Sequence, residues 1–241
     1  MITISGLTKK YGEQTAVDDL DLNLKEGEFY SFLGPNGAGK TTTIKILTGL
    51  LHPTGGSVSV AGHDVVSDPV SAKRLIGYIP DQPFLYEKLT GREFLGFVGQ
   101  LYSQTNGATQ ARMAELMELF HVADIADQLM EDYSHGMRQK FSFCSALLHE
   151  PRVMIIDEPW VGLDPKSIRF LKNYLKELTR SHGTTVFMST HTLSIAEEVS
   201  DRIGIIHQGK LIAEGSIDEI KELQGDERLE EAFLKVTSEE D

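Results

Sequence analysis

The chain has 241 residues, and 23 Lys and Arg against 36 Asp and Glu give a formal net charge of −13, with no basic run longer than pairs such as Lys9-Lys10 or Lys73-Arg74. That length can bury a full α/β core with room for an insertion, and the acidic balance argues against nucleic acid as a partner. The longest apolar runs are a handful of residues, as in Val153-Met154-Ile155-Ile156, and the first residues lack a charged stretch followed by an apolar one, so neither a membrane span nor a secretory signal is expected. The single cysteine, Cys144, excludes an internal disulfide, fits a reducing compartment and sits in an apolar helical run where packing is expected.

Residues 1 to about 27 alternate apolar and polar, as in Ile2-Thr3-Ile4-Ser5 and Leu20-Asp21-Leu22-Asn23-Leu24, and Ser57-Val58-Ser59-Val60 repeats the pattern. This predicts half-buried antiparallel strands. Tyr11, in Lys10-Tyr11-Gly12, is expected in their connecting loop, where its face suits a purine. The apolar run Phe29 to Leu33 then leads into Gly34-Pro35-Asn36-Gly37-Ala38-Gly39-Lys40-Thr41, with Ile44, Leu47 and Leu51 at helical spacing beyond. Strand, glycine-rich loop and helix in that order place successive backbone N–H groups around an anion at the positive end of a helix. Lys40 adds a point charge and Thr41 a Mg²⁺ ligand. A nucleoside triphosphate is the expected ligand.

Asp64 to Ala72 reads as loop and short helix, and Leu75 to Ile79 as a strand closed by Pro80. Gln82 stands between Pro80 and Pro83 in extended geometry, where a polar side chain can sense a ligand on one side and a moving segment on the other. Residues from about 84 to 150 change to helical spacing, broken at Asn106-Gly107, and predict an inserted helical subdomain; Phe84, Leu85 and Tyr86 at its start suit a partner's helix. Tyr133-Ser134-His135-Gly136-Met137 opens a further helix with a serine and a glycine, a second terminus suited to an anion.

Val153 to Asp157 is a continuous apolar run ending in acid, the pattern of a buried parallel strand that delivers carboxylates at its ligand-binding edge. Asp157 is placed to hold Mg²⁺ through water, and Glu158 to take a proton from an attacking water. Asp164-Pro165 predicts a helix start, with Gly183 as its stop. Thr184 to Ser189 is another buried strand, and His191 follows at the same edge. Trp160, two residues past Glu158, fits either a docking surface or the core. Arg202 to Gly215 predicts two short strands about Gln208-Gly209, then a helical acidic tail that frays beyond Val236.

In this order the pieces resemble the ATP-binding cassette family, specifically a stand-alone nucleotide-binding subunit of an ABC transporter, over about Met1 to Gly215. Gly34 to Thr41 resembles the Walker A loop, Gln82 the Q-loop glutamine, Tyr133 to Met137 the signature, Val153 to Asp157 Walker B, Gly162-Leu163-Asp164 the D-loop and His191 the switch histidine. The signature departs from the usual leucine-serine-glycine-glycine-glutamine, and Trp160 replaces a smaller side chain. The resemblance implies a P-loop NTPase (RecA-like) α/β fold with a parallel-sheet core, an N-terminal antiparallel β subdomain and the helical insertion, one domain over residues 1–241. It implies ATP held by Tyr11, by Gly34, Pro35, Asn36, Gly37, Ala38, Gly39, Lys40, Thr41 and Thr42, and by Ser134 and Gly136 of a second subunit. It further implies Mg²⁺ near Thr41, Gln82 and Asp157, and hydrolysis by Glu158, His191, Gln82 and Lys40.

Two such subunits, identical or not, would meet head to tail around ATP and drive a separate integral-membrane permease from the cytoplasmic face. The tail after Gly215 is shorter than an importer's regulatory domain, which favours export. A soluble ABC ATPase of repair or translation usually carries long coiled coils or two cassettes, and this chain has no heptad run. A regulatory module that binds ATP without turnover is disfavoured by Glu158 and His191.

Overall fold

The computed structural model describes residues 1–102, 107–160, 162–224 and 229–238. In chain order these form β1 (Ile2–Tyr11), β2 (Gln14–Leu24), β3 (Phe29–Leu33), α1 (Lys40–Leu47), β4 (Gly55–Val60), β5 (His63–Asp64), α2 (Pro69–Arg74) and β6 (Ile76–Ile79). The helices α3 (Gly91–Leu101), α4 (Gly107–Leu119) and α5 (His135–Leu147) follow, then β7 (Val153–Asp157), α6 (Pro165–His182) and β8 (Thr185–Thr190). The chain closes with α7 (Leu193–Val199), β9 (Arg202–His207), β10 (Lys210–Gly215), α8 (Ile217–Gln224) and α9 (Leu229–Ser238). Asn106 of the expected helix break lies outside the described residues, and α9 continues two residues past Val236.

Among the described residues there are two sheets. One is antiparallel, in the order β2-β1-β4-β5, and its strands alternate buried and exposed as half-buried strands should. The other has the order β10-β9-β3-β8-β7-β6; β3 and β6 to β9 run parallel, and β10 turns back antiparallel on β9. Its central strands are buried along their whole length because both faces are covered. Val153 and Ile155 of β7 join Tyr30, Phe32, Phe187 and α1 in the layer under the antiparallel sheet, while Met154 and Ile156 join the layer beneath α3 to α6. A third cluster packs α7, α8 and α9 on β3 and β9.

Local signals account for the helix boundaries. Thr90 caps α3 in a reciprocal box with Glu93, and Asp164 caps α6 through the Lys166 and Ser167 amides at 2.9 and 3.0 Å, with Pro165 in the first position. Gly183 ends α6 at a φ of 67°. Cys144 is buried, and burial pushes its thiol far above the usual range, so it packs and does not react. Trp160 is 6% exposed and belongs to the core beneath the helical layer, which corrects the surface position considered for it. With the strand before it buried and α5 above it, the indole is the filler between them.

Candidate active site

The C-terminal ends of β3, β6, β7 and β8 share one edge of the parallel sheet, and there a cleft of about 660 Å³ opens. Its floor is the turn from β3 into α1. A Cβ on Gly34 would lie 2.4 Å from the Ile206 carbonyl oxygen, and one on Gly39 2.5 Å from that of Ala16. These two glycines therefore let the loop press against β9 and β2; they are a packing requirement before they are a phosphate requirement. The β9–β10 turn completes the clamp: Gly209 N donates to Ala38 O at 2.9 Å, and Asp18 N donates to Gly209 O at 2.9 Å.

Gly39 sits at a φ of 112° and no side chain caps α1, so the first-turn amides face the cleft without a local acceptor from a capping residue. Lys40 is buried beside them. Its ammonium donates to the carbonyls of Gly34 at 2.7 Å and Pro35 at 3.1 Å and lies 3.9 Å from Glu158 Oε1. Burial pushes it below the usual lysine range, against the opposing pull of Glu158 and Asp157. Such a lysine gains when an anion joins it.

The carboxylates come from β7. Asp157 pairs with Ser189 in the β7–β8 register, accepts from the Ser189 hydroxyl on Oδ1, and accepts from Thr41 Oγ1 at 3.1 Å on Oδ2. Glu158, at a φ of 46°, turns out of the strand. Its Oε1 is 2.9 Å from His191 Nδ1 and its Oε2 accepts from Thr190 Oγ1 at 3.3 Å, so the carboxylate is oriented by the end of β8 and left with a face toward the cleft. Among the described residues no trio of His, Cys, Asp or Glu forms a metal cage. One hydroxyl and one buried carboxylate 3.1 Å apart do suit Mg²⁺, which keeps water and phosphate as its remaining ligands.

Tyr11, Asn36, Gly37, Gly39, Lys40, Thr41, Thr42, Asp157 and Glu158 all line this cleft. Tyr11 is the last residue of β1 rather than a loop residue, is half exposed, and has the Lys9 ammonium 5.2 Å from its ring centroid. Gly34, Pro35 and Ala38 stand behind the lining, where Gly34 and Pro35 present carbonyls to Lys40 and Ala38 packs against the hairpin turn. Gln82 is exposed and outside the lining, while its neighbour Asp81 lies within it. Sequence reading missed Asp81, Gln14, Thr15, Ala16, Gln208 and Gly209. Asp81 differs from Gln82 by one step along an irregular segment, which no periodicity resolves. Gln208-Gly209 was legible as a turn, but its place beside the loop depends on β9 pairing with β3 across some 170 residues of chain.

Ser134 and Gly136 do not reach this cleft. Ser134 caps α5 by accepting from Met137 N at 3.3 Å, and both residues line a second, open cavity of about 420 Å³ shared with Gly162, Leu163 and Asp164. The His135 ring packs on Gly162, where a Cβ would fall 2.5 Å from His135 Cδ2.

The comparisons with known proteins agree with this geometry. A family model described as ABC transporter matches residues 17–161. The daunorubicin resistance ATP-binding protein DrrA3 of Streptomyces coeruleorubidus is 38% identical over 229 residues, spanning 95% of this chain and 72% of the relative. A solved ATP-binding subunit of an ABC transporter superimposes with a TM-score of 0.93 at 33% identity, covering 99% of this chain and 100% of the other. The dimeric post-hydrolysis state of the ATP-binding cassette MJ0796 bound to ADP and Pi gives a TM-score of 0.83 at 28% identity over 90% and 98% of the two chains. With its triphosphate cleft, its carboxylate pair and these likenesses, the chain belongs to the ABC transporter family as an ATP-binding, ATP-hydrolysing subunit.

Proposed function

We propose that this chain is one of two cassettes, identical or related, that close head to tail around ATP and drive a separate membrane permease, in the direction of export. The observation that carries the pairing is the separation of the two helix starts suited to phosphate. The starts of α1 and α5 line different cavities, so one chain cannot bring both onto one nucleotide. A second copy can. The dimeric form of the structural relative and the daunorubicin resistance named for the Streptomyces relative support pairing and export respectively.

Within each site the residues divide the work by their chemistry. Tyr11 offers a face to the base, and the amides of Asn36 to Thr42 with Lys40 hold and orient the phosphates. Thr41 and Asp157, with Asp81 in the place the resemblance gave to Gln82, hold Mg²⁺, which supplies charge neutralisation on the phosphate oxygens. Glu158 accepts the proton of the attacking water, and His191, fixed against Glu158 at 2.9 Å, keeps that carboxylate aimed while its ring reaches the γ-phosphate. Ser134 and Gly136 close the same phosphate from the other chain.

Among the described residues no helix is long and apolar enough to cross a membrane, so membrane attachment falls to the permease. Phe84, 95% exposed, and Tyr86 beside it, with Phe97 and Leu101 of α3 also exposed, offer the apolar surface on which it would dock, at the cytoplasmic face. The test is sizing chromatography of the Glu158→Gln chain with Mg-ATP. A species of twice the monomer mass that retains ATP is expected; a monomer saturated with ATP would sink the head-to-tail reading.

A further inference from the structure

The segment after β6 and the turn that opens α5 are 50 residues apart in sequence, yet one side chain joins them. Arg138, in the first turn of α5, donates from Nε to Tyr133 O at 3.1 Å and from Nη2 to Glu131 O at 3.2 Å, and its Nη1 meets Glu87 Oε1 at 3.0 Å. Two of these bonds set the carbonyls on either side of Asp132, and so the direction in which the chain enters Ser134. The third reaches Glu87, the residue after exposed Tyr86. Around it the two stretches are stitched by backbone: Glu131 N donates to Glu87 O at 3.1 Å and Met130 N to Leu89 O at 2.9 Å, and Lys88 pairs with Glu131. Arg92 forks onto Asp127 at 2.8 and 3.0 Å one step further along. The exposed 84–86 corner thus stands at one end of a short braced ribbon, and the Ser134 to Gly136 turn at the other.

We propose that Arg138 is a positioning residue that makes the orientation of the Ser134–Gly136 turn depend on the placement of the 84–86 corner, through Glu87. The Glu87 contact is too exposed, with side chains 22% and 58% exposed, to matter much for overall stability. Its worth is in geometry: a displacement of the corner pulls on the same guanidinium that holds the Tyr133 carbonyl. This rests on the paired-cassette reading for its consequence in turnover, and not for the mechanical link itself.

Two measurements on the full chain separate these. Hydrogen–deuterium exchange of the nucleotide-free protein follows the Met137 and Arg138 amides, which are held by Ser134 Oγ and Ser134 O. In Glu87→Ala their exchange should rise about two- to fivefold, the span of a lost exposed ion pair, and in Arg138→Met about tenfold, with Phe141 to Ala146 unchanged. Glu87→Gln, whose amide oxygen still accepts from Nη1, should restore the original rates. Unaltered exchange at the turn in Glu87→Ala overturns the proposal, and so does an even rise along all of α5, the mark of plain structural support. In the second measurement, ATP affinity by calorimetry should hold in Arg138→Met while kcat falls. If the unmodified chain's specific activity does not rise with its concentration, the paired reading fails, and the exchange result still decides the role of Arg138.

Discussion

Helix α1 starts at Gly39 with no capping side chain, whereas α5 starts at Ser134, at a φ of −61°, whose hydroxyl already takes the Met137 amide. The first start has a buried ammonium, a hydroxyl and two carboxylates converging on it from β3, β7 and β8; the second has none of these, and looks onto an open cavity shared with the loop after Glu158. Both have the positive end of a helix to offer an anion, but only the first has the groups that hold and transform one. The difference teaches that a helix terminus becomes a site through what the sheet edge brings to it. The α5 start is half of a site whose remainder is on another chain.

The strongest attack on this contrast is at Glu158. Glu158→Gln should lower kcat about 10²–10⁴-fold, the worth of a positioned general base, or about 3–5 kcal/mol of barrier, with ATP affinity retained because the amide keeps the contacts that orient the side chain. Steady-state turnover with a calorimetric Kd checks this. A kcat within a few-fold of the parent removes Glu158 from the chemistry and leaves the α1 site a binding site only.

Acid should separate the two helices. His149, just past α5, is buried against Tyr102 at a ring distance of 3.8 Å, gives Nε2 to Ile76 O at 3.0 Å and has no partner for Nδ1 among the described residues. Burial pulls its pKa down to about 4, against the Ile76 contact, which raises it. The folded state therefore binds fewer protons than the unfolded one between about pH 4 and the ordinary histidine value of ~6.5. Stability is full above that value and falls as pH drops through the window, by roughly 3 kcal/mol when the loss is complete. Urea unfolding from pH 7 to 4 should show this slope, and His149→Gln should flatten it.

Glycine substitution distinguishes the two turns directly. At Gly39 a Cβ meets the Ala16 carbonyl and a left-handed backbone, so Gly39→Ala should cost about 2 kcal/mol or more; at Gly136 the nearest backbone atom, Gly162 O, would be 3.6 Å from a Cβ, an ordinary contact. Gly136→Ala should hold stability within about 1 kcal/mol. Thermal unfolding of the two variants side by side checks the pair; equal losses would mean that both loops are under the same packing constraint.

The α1 site was largely legible from sequence because strand, loop and helix are contiguous there, and because β7 announces Asp157 and Glu158 by an apolar run that stops at acid. Asp164 and Gly183 were legible for the same reason, as local caps. What sequence reading lost is what topology supplies. Gln208-Gly209 reaches the cleft only because β9 lies next to β3, and Arg138 reaches Glu87 only because residues 87–90 and 129–131 run side by side. Trp160 shows the limit differently: its spacing from Glu158 was read correctly, but the side on which an irregular turn leaves its ring depends on the helical layer above it.

The smallest expected effect is at the second helix start, and it is the one that most sharply tests the idea of a half site. Ser134→Ala removes the hydroxyl that takes the Met137 amide at 3.3 Å, a loss of about 1 kcal/mol for an N-cap, and the midpoint of thermal unfolding should fall by about 2–4 °C in a chain of this size. ATP affinity of the single chain should not change, since Ser134 and the α1 cleft are in separate cavities. Turnover should change more than stability does. In the paired state the same hydroxyl would face phosphate across the interface, and one such donor missing at a charged transition state slows a reaction by tenfold or more, up to about 10²–10³. A variant that loses the few degrees and keeps its kcat would mean that Ser134 is a cap and nothing else. Lost kcat with unchanged single-chain affinity, and a weaker ATP-driven dimer in the Glu158→Gln background, would place the hydroxyl on the partner's nucleotide.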